Sequence, residues 1–290
     1  MTPPPTAPRT LGRVAELRVY PIKSLGGVRL ERATVGDLGF AGDRRWMLVA
    51  DDGVFYTQRA LPRMALVHAT PTDGGVHVTA PGQEPLTVAP PPPGTTRRRV
   101  RVWADIVDAE TYGGDVDAWF SEALGRPAHL VYMPDDVRRR VDPTYAGPDD
   151  RAAFADAFPV LIVSRESLAD LNAHLVAHGA SAVGMERFRP NVVVEGVDAP
   201  FAEDGWRDVS LGGVALRVAK PCARCVLTTV DPATGRASAR GEPLRTLATY
   251  RRRGENVLFA QNALVVRGGD VAVGDVVTES GRRATVPDND

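Results

Sequence analysis

Cys222 and Cys225 are the only thiols in 290 residues, and they stand in a Cys-x-x-Cys spacing within Lys220-Pro-Cys-Ala-Arg-Cys225. A structural zinc site needs four ligands, usually two such pairs or one pair with closely spaced histidines. There is no second pair, and His68, His77, His129, His174 and His178 lie far upstream. An iron–sulfur cluster takes four cysteines and fails on count. A thioredoxin-type pair opens a helix that lowers the first thiol's pKa, whereas the Val226-Leu-Thr-Thr-Val230 that follows reads as a strand. A fourth chemistry is one thiolate given to a metal whose other ligands arrive with its own cofactor, as with molybdenum on a pterin dithiolene. Two inert buried thiols stand beside it. The cysteines alone do not choose.

Other chemistry-bearing residues sit at strand ends. Pro21-Ile-Lys-Ser-Leu-Gly-Gly27 is a turn-rich loop presenting Lys23 and Ser24, and Arg44 stands near the start of a strand. Phe188-Arg-Pro-Asn191 offers a guanidinium fork and an amide at a strand entrance, suited to an anionic ligand edge. Arg189 serves equally well as a clamp for loop carbonyls. His174 and His178 have a zinc-chelating spacing but no acidic third ligand on their turn, and read as solvated. Arg97-Arg-Arg-Val-Arg-Val102 alternates like the wet face of a strand rather than a nucleic-acid contact.

The elements that must position these groups are mostly short strands. Segments at 14–20, 30–35, 43–49, 54–57, 65–69 and 75–79 recur at regular spacing, which suggests a barrel or sandwich in the N-terminal part. An amphipathic helix is expected over Asp115–Leu124, with Gly125 as its C-cap. The run from Met133 to Ala153 reads as an exposed loop holding a domain boundary. Val160-Leu-Ile-Val163 reads as a buried strand, and Ser164 as the N-cap of a helix that stacks Leu168, Leu171 and Leu175. Pro243 opens another short helix, and 257–266 and 271–277 read as closing strands. The formal net charge of -1 gives no pull towards nucleic acid or an anionic membrane. No apolar run approaches the ~20 residues of a transmembrane helix. With no disulfide framework, the chain is expected in the cytoplasm.

Five separated motifs then fall in register. Tyr20-Pro-Ile-Lys-Ser24, Gly42-Asp-Arg-Arg-Trp46, Phe188-Arg-Pro-Asn191, Pro221-Cys-Ala-Arg-Cys225 and Val230-Asp-Pro-Ala-Thr-Gly235 resemble, in this order, the MOSC superfamily, and most nearly the amidoxime-reducing components and their bacterial relatives. The resemblance runs from Val14 to Val277. It implies a mixed α/β, β-rich fold, with an N-terminal MOSC-associated β-barrel-like domain packed on a MOSC β-barrel with short helices. The expected divisions are a disordered leader at 1–12, the first domain at 13–135, the MOSC domain at 136–282 and a mobile tail at 283–290. Between the domains the resemblance implies a molybdenum–molybdopterin cofactor with Cys225 as metal ligand. Lys23, Ser24, Arg44, Arg189, Asn191, Ala223, Arg224 and Asn262 fall where the family contacts the pterin, and Asp156 falls near its acidic residue by the metal. Ala223 stands where animal relatives carry serine, and Asn262 near their tyrosine. The cations among these residues, with Arg224 adjacent in sequence, are expected to favour the thiolate of Cys225. The implied activity is reduction of N-hydroxylated compounds such as hydroxylaminopurines and amidoximes. Electrons are then expected from a separate protein: a ferredoxin, a cytochrome b5-like protein or a flavoprotein reductase. A molybdenum-cofactor carrier or sulfur-transfer module is the alternative.

Overall fold

Val160-Leu-Ile-Val163 is apolar at every position because each face of its strand meets a different core. Val160 and Ile162 pack into one cluster with Leu17, Val192, Val209 and Leu216. Leu161 and Val163 point the other way, into a second cluster with Leu171, Leu175, Phe188 and Phe259. The period-two alternation of a strand delivers both sets.

The structure is a computed structural model and describes residues 8–279. Seven strands close a barrel: β1 (Arg9–Val19), β2 (Val160–Ser164), β3 (Val192–Glu195), β4 (Asp208–Leu211), β5 (Val214–Arg224), β6 (Asn256–Arg267) and β7 (Val276–Glu279). Their order is β2-β3-β1-β7-β4-β5-β6, and β6 pairs back onto β2. Only β2 and β3 are parallel. A parallel pair needs a crossover, and helix α2 (Arg165–Ala177) supplies it, capped by Ser164, whose side chain accepts from the Ser167 N–H. Outside this barrel, Trp46–Val49, His129–Tyr132, Asp105–Thr111 and Arg97–Val102 form an antiparallel sheet of four. Leu48 and Leu130 of that sheet pack with Phe120 and Leu124 of helix α1 (Gly114–Leu124). The expected β-rich class with short helices holds.

Several local expectations need correction. The chain is already a strand at Arg9, inside the expected leader, because β1 pairs with β7 from Arg9 onwards. β1, which precedes the expected division at residue 135, is a stave of the barrel between β3 and β7. The expected tail at 283–290 lies outside the described residues. Val54–Thr57 makes isolated bridges rather than a strand, and a 3-10 turn occupies Pro62–Leu66. Most consequentially, Val226–Thr229 is a 3-10 turn and not the expected strand. The loop between Met133 and Ala153 is not wholly exposed: Arg139, Val141, Ala152 and Ala153 are buried. Arg139 explains the order there, donating to the carbonyls of Ala153 at 3.0 Å, Ala155 at 2.5 Å and Asp156 at 3.1 Å. Composition reported the segment's polarity but not this internal guanidinium.

Candidate functional site

The end of β1, the end of β5 and the entrance to β3 meet at one cleft of about 260 Å³. Lys23, Ser24, Arg44, Asp156, Arg189, Asn191, Ala223, Arg224, Cys225 and Asn262 all line it, as do Arg59, Phe158 and Lys220. Residues separated by up to some 240 positions in the chain are thus brought together. On β5 the register against β6 slips between Val218 and Lys220 and again between Pro221 and Ala223. Such bulges bend a strand and re-aim its side chains, here where Cys222 to Cys225 leave the barrel.

The backbone is strained at this wall. Ser24, Arg44 and Arg189 have φ of 65°, 48° and 57°, and Trp103, beside the cleft, has 57°. A non-glycine residue in this region costs roughly 1–2 kcal/mol, and such residues gather at functional sites. Arg44 is held from three sides: Nη1 donates to Asp43 at 2.5 Å and to Asn191 Oδ1 at 3.3 Å, and Nη2 donates to the Arg189 carbonyl at 3.1 Å. Burial alone would lower the Arg44 pKa, but Asp43 outweighs it and raises it. The Tyr20 ring lies 4.8 Å from the Arg44 guanidinium and 4.2 Å from that of Arg189.

Arg189 takes the carbonyl-clamp role its sequence context allowed. Its Nη1 clamps the Leu25 carbonyl at 2.6 Å, while Nη2 is buried without a hydrogen-bond partner. Burial, reinforced by Arg44, lowers its pKa to about 10. Asn191 is 1% exposed, and its amide is spent internally on the Leu161 N–H and the Arg18 carbonyl. It lines the cleft as a brace for Arg44. Asn262 makes one long contact, 3.5 Å, to the Pro221 carbonyl.

The two cysteines have separate arginines. Arg224 Nη1 donates to Cys222 Sγ at 3.0 Å and its Nη2 to the Phe188 carbonyl at 2.9 Å, leaving its buried Nε unpartnered. Cys225 Sγ receives instead a hydrogen bond from Arg59 Nε at 3.0 Å. The cation bonded to Cys225 is thus Arg59 and not its sequence neighbour Arg224, since successive residues on extended backbone point to opposite sides. Arg59 also reaches Asp156 at 3.4 Å and lies 4.4 Å from the Trp103 ring centroid. Neither Arg59 nor Trp103 was legible as a site residue. Arg59 is one of 33 arginines and belongs to no motif.

Asp156 joins the two walls. Lys23 Nζ donates to its Oδ1 at 2.5 Å and to the Phe154 carbonyl at 2.7 Å. Burial works to raise the Asp156 pKa, but Lys23, Arg59 and Arg44 together lower it. Its side chain is 56% exposed, so solvent screens part of that effect.

The fit to a bound group can be judged from these contacts. Among the described residues no three His, Cys, Asp or Glu cluster as metal ligands, so a metal at Cys225 needs ligands from a cofactor. Six cations line the cleft, and Asp156 is the one acidic residue lining it with them. Two guanidinium nitrogens there, Arg189 Nη2 and Arg224 Nε, have no acceptor. A buried unpaired donor is costly. An anionic, oxygen-rich cofactor bearing its own metal ligands would satisfy that donor set, and the residues fit it.

The closed β-barrel thus carries at its edge a basic cleft lined by both cysteines. Residues 11–127 match the MOSC N-terminal beta barrel domain and residues 149–278 the MOSC domain, and the chain belongs to the MOSC superfamily, in the family of the amidoxime-reducing components. It is 34% identical to the mitochondrial amidoxime-reducing component 1 of Homo sapiens, over 92% of this chain and 82% of that protein. The mitochondrial amidoxime reducing component 2 of Rattus norvegicus is also 34% identical, over 92% of this chain and 83% of its own. No helix among the described residues is long and apolar enough to cross a membrane.

Proposed function

We propose that this chain is a molybdenum-cofactor-dependent oxidoreductase that reduces N-hydroxylated compounds, hydroxylaminopurines and amidoximes among them, to amines and amidines. The observation that carries the reading is the convergence of Cys225, with Cys222 beside it, and six cations in a single cleft. The names of the relatives, amidoxime-reducing components, supply the reaction class. The molybdenum cofactor, when bound, supplies two-electron chemistry at the N–O bond.

The chain's own residues supply orientation and electrostatics. Cys225 offers the thiolate for the metal. Arg44, Arg189 and Arg224 present guanidinium N–H groups to the anionic end of the cofactor, where bidentate contacts fix orientation as well as affinity. Ser24 offers a hydroxyl at the same wall. Electrons come from a separate electron-transfer protein, such as a ferredoxin, a cytochrome b5-like protein or a flavoprotein reductase.

Protein purified from a cofactor-competent host is expected to contain molybdenum and to reduce hydroxylaminopurine with reduced viologen. Cys225→Ala abolishes molybdenum retention, whereas Cys222→Ala largely spares it. Molybdenum-free protein, or the reverse pattern of variants, sinks the assignment. Molybdenum-loaded protein without turnover is instead a carrier or sulfur-transfer module.

A further inference from the structure

The chain contains 33 arginines and two lysines, and both lysines, Lys23 and Lys220, line the cleft. Everywhere else this sequence uses arginine for positive charge. A guanidinium keeps its proton at any physiological pH, whereas a buried ammonium gives one up within reach of neutrality. Both lysines thus fall on the walls of one cavity.

Lys23 has the geometry of a proton donor. Its side chain is 4% exposed, against 56% for the Asp156 it is bonded to. An ammonium has three N–H donors. Two are engaged, by Phe154 O and Asp156 Oδ1, which leaves one for a ligand. The charged groups around it are Asp156, Arg139, Arg44 and, on the far side of Asp156, Arg59. The Phe55 ring centroid lies 5.3 Å from Nζ. Burial lowers the Lys23 pKa to about 8, opposed by Asp156 and assisted by Arg139 and Arg44. Lys220 differs: its Nζ rests 4.4 Å from the Tyr145 ring centroid and has no carboxylate partner among the described residues.

We propose that Lys23 is the general acid of the N–O reduction, giving its proton to the departing oxygen, and that Asp156 is the positioning residue that holds the ammonium and opens it to solvent. This rests on the reductase reading above. The overall change is R–NH–OH + 2 e⁻ + 2 H⁺ → R–NH₂ + H₂O. The N–O bond breaks, an N–H bond forms, and the oxygen leaves as water. The electron-transfer partner supplies both electrons. Lys23 supplies one proton and regains it from water at the half-exposed Asp156, and the second proton comes from solvent.

The test uses molybdenum-loaded protein with hydroxylaminopurine and reduced viologen. Beside turnover, it measures molybdenum content and the pH dependence of Lys23 acetylation by acetic anhydride, with Lys220 as the internal reference for reagent access. In the wild type the Lys23 acetylation midpoint is expected below the ordinary lysine range. Lys23→Arg keeps its molybdenum while kcat falls about 100-fold or more. In Asp156→Asn, the acetylation midpoint and the alkaline fall of kcat both move to lower pH, because the carboxylate that favoured the ammonium is gone. The proposal is overturned if Lys23→Arg retains kcat, if it loses molybdenum together with activity, or if Asp156→Asn leaves the Lys23 midpoint in place. Should Lys23→Arg not fold, Asp156→Asn decides. Loaded wild-type protein that does not turn over hydroxylaminopurine sinks the reductase reading itself, before any variant is compared.

Discussion

Leu17 and Val19 close the barrel core with no exposed surface, and four residues after Val19 the same segment has become the cleft wall at Lys23 and Ser24. The two regions obey opposite rules. The barrel interior is aliphatic and its backbone groups are paired in a closed ladder. The wall next to it holds left-handed non-glycine residues, buried cations and donors without acceptors. The barrel provides the stability from which the wall's strain is held. Features that would be faults in a core gather at the wall, where the side chains face a cavity.

The contrast is broken most forcefully from the barrel side. Leu17→Ala removes a fully buried side chain from the closed sheet and is expected to cost 2–5 kcal/mol, or about 3, in chemical denaturation. Molybdenum per folded molecule should stay unchanged, since Leu17 packs in the core and does not line the cleft. Metal loss in proportion to lost stability would mean that the two regions are not separable.

Arg59→Leu attacks the wall instead. It deletes the hydrogen bond to Cys225 and the contact to Asp156 while keeping apolar area against Trp103. A hydrogen bond to a charged group is worth about 1.5–3 kcal/mol, so turnover of loaded protein should fall about 10- to 100-fold. The thermal transition should hardly move, because the guanidinium is 23% exposed and outside the barrel core. A large loss of stability with normal turnover would reverse the roles given to core and wall.

What the sequence disclosed follows the same division. Period-two alternation and the capping residue Ser164 made the strands and α2 readable, because they are local. Sheet closure was not, since nothing near Arg9 announces that its partner lies at Glu279. The β-branched run after Cys225 misled, because a single 3-10 turn carries no periodicity and Leu227, Thr228 and Thr229 are buried. At the cleft, the candidate residues that the motifs singled out line one cavity. Arg59 and Trp103 were invisible because their roles depend only on which loop folds over Cys225.

The smallest effect is also the most discriminating. At Ser24 the backbone φ is 65°, where glycine is at ease and a Cβ is not. Ser24→Gly and Ser24→Ala both remove the hydroxyl, so they share any ligand deficit and differ in strain alone. Ser24→Gly should be about 1 kcal/mol more stable than Ser24→Ala in urea unfolding. At Val19, an extended barrel residue, the same pair should reverse sign: Val19→Gly falls below Val19→Ala by roughly 0.5–1 kcal/mol, because glycine there loses more chain entropy. Ordered alike at both positions, the four variants would show that the wall stores no backbone strain. Ordered oppositely, they place the strain at the cleft and measure it against the barrel that sustains it.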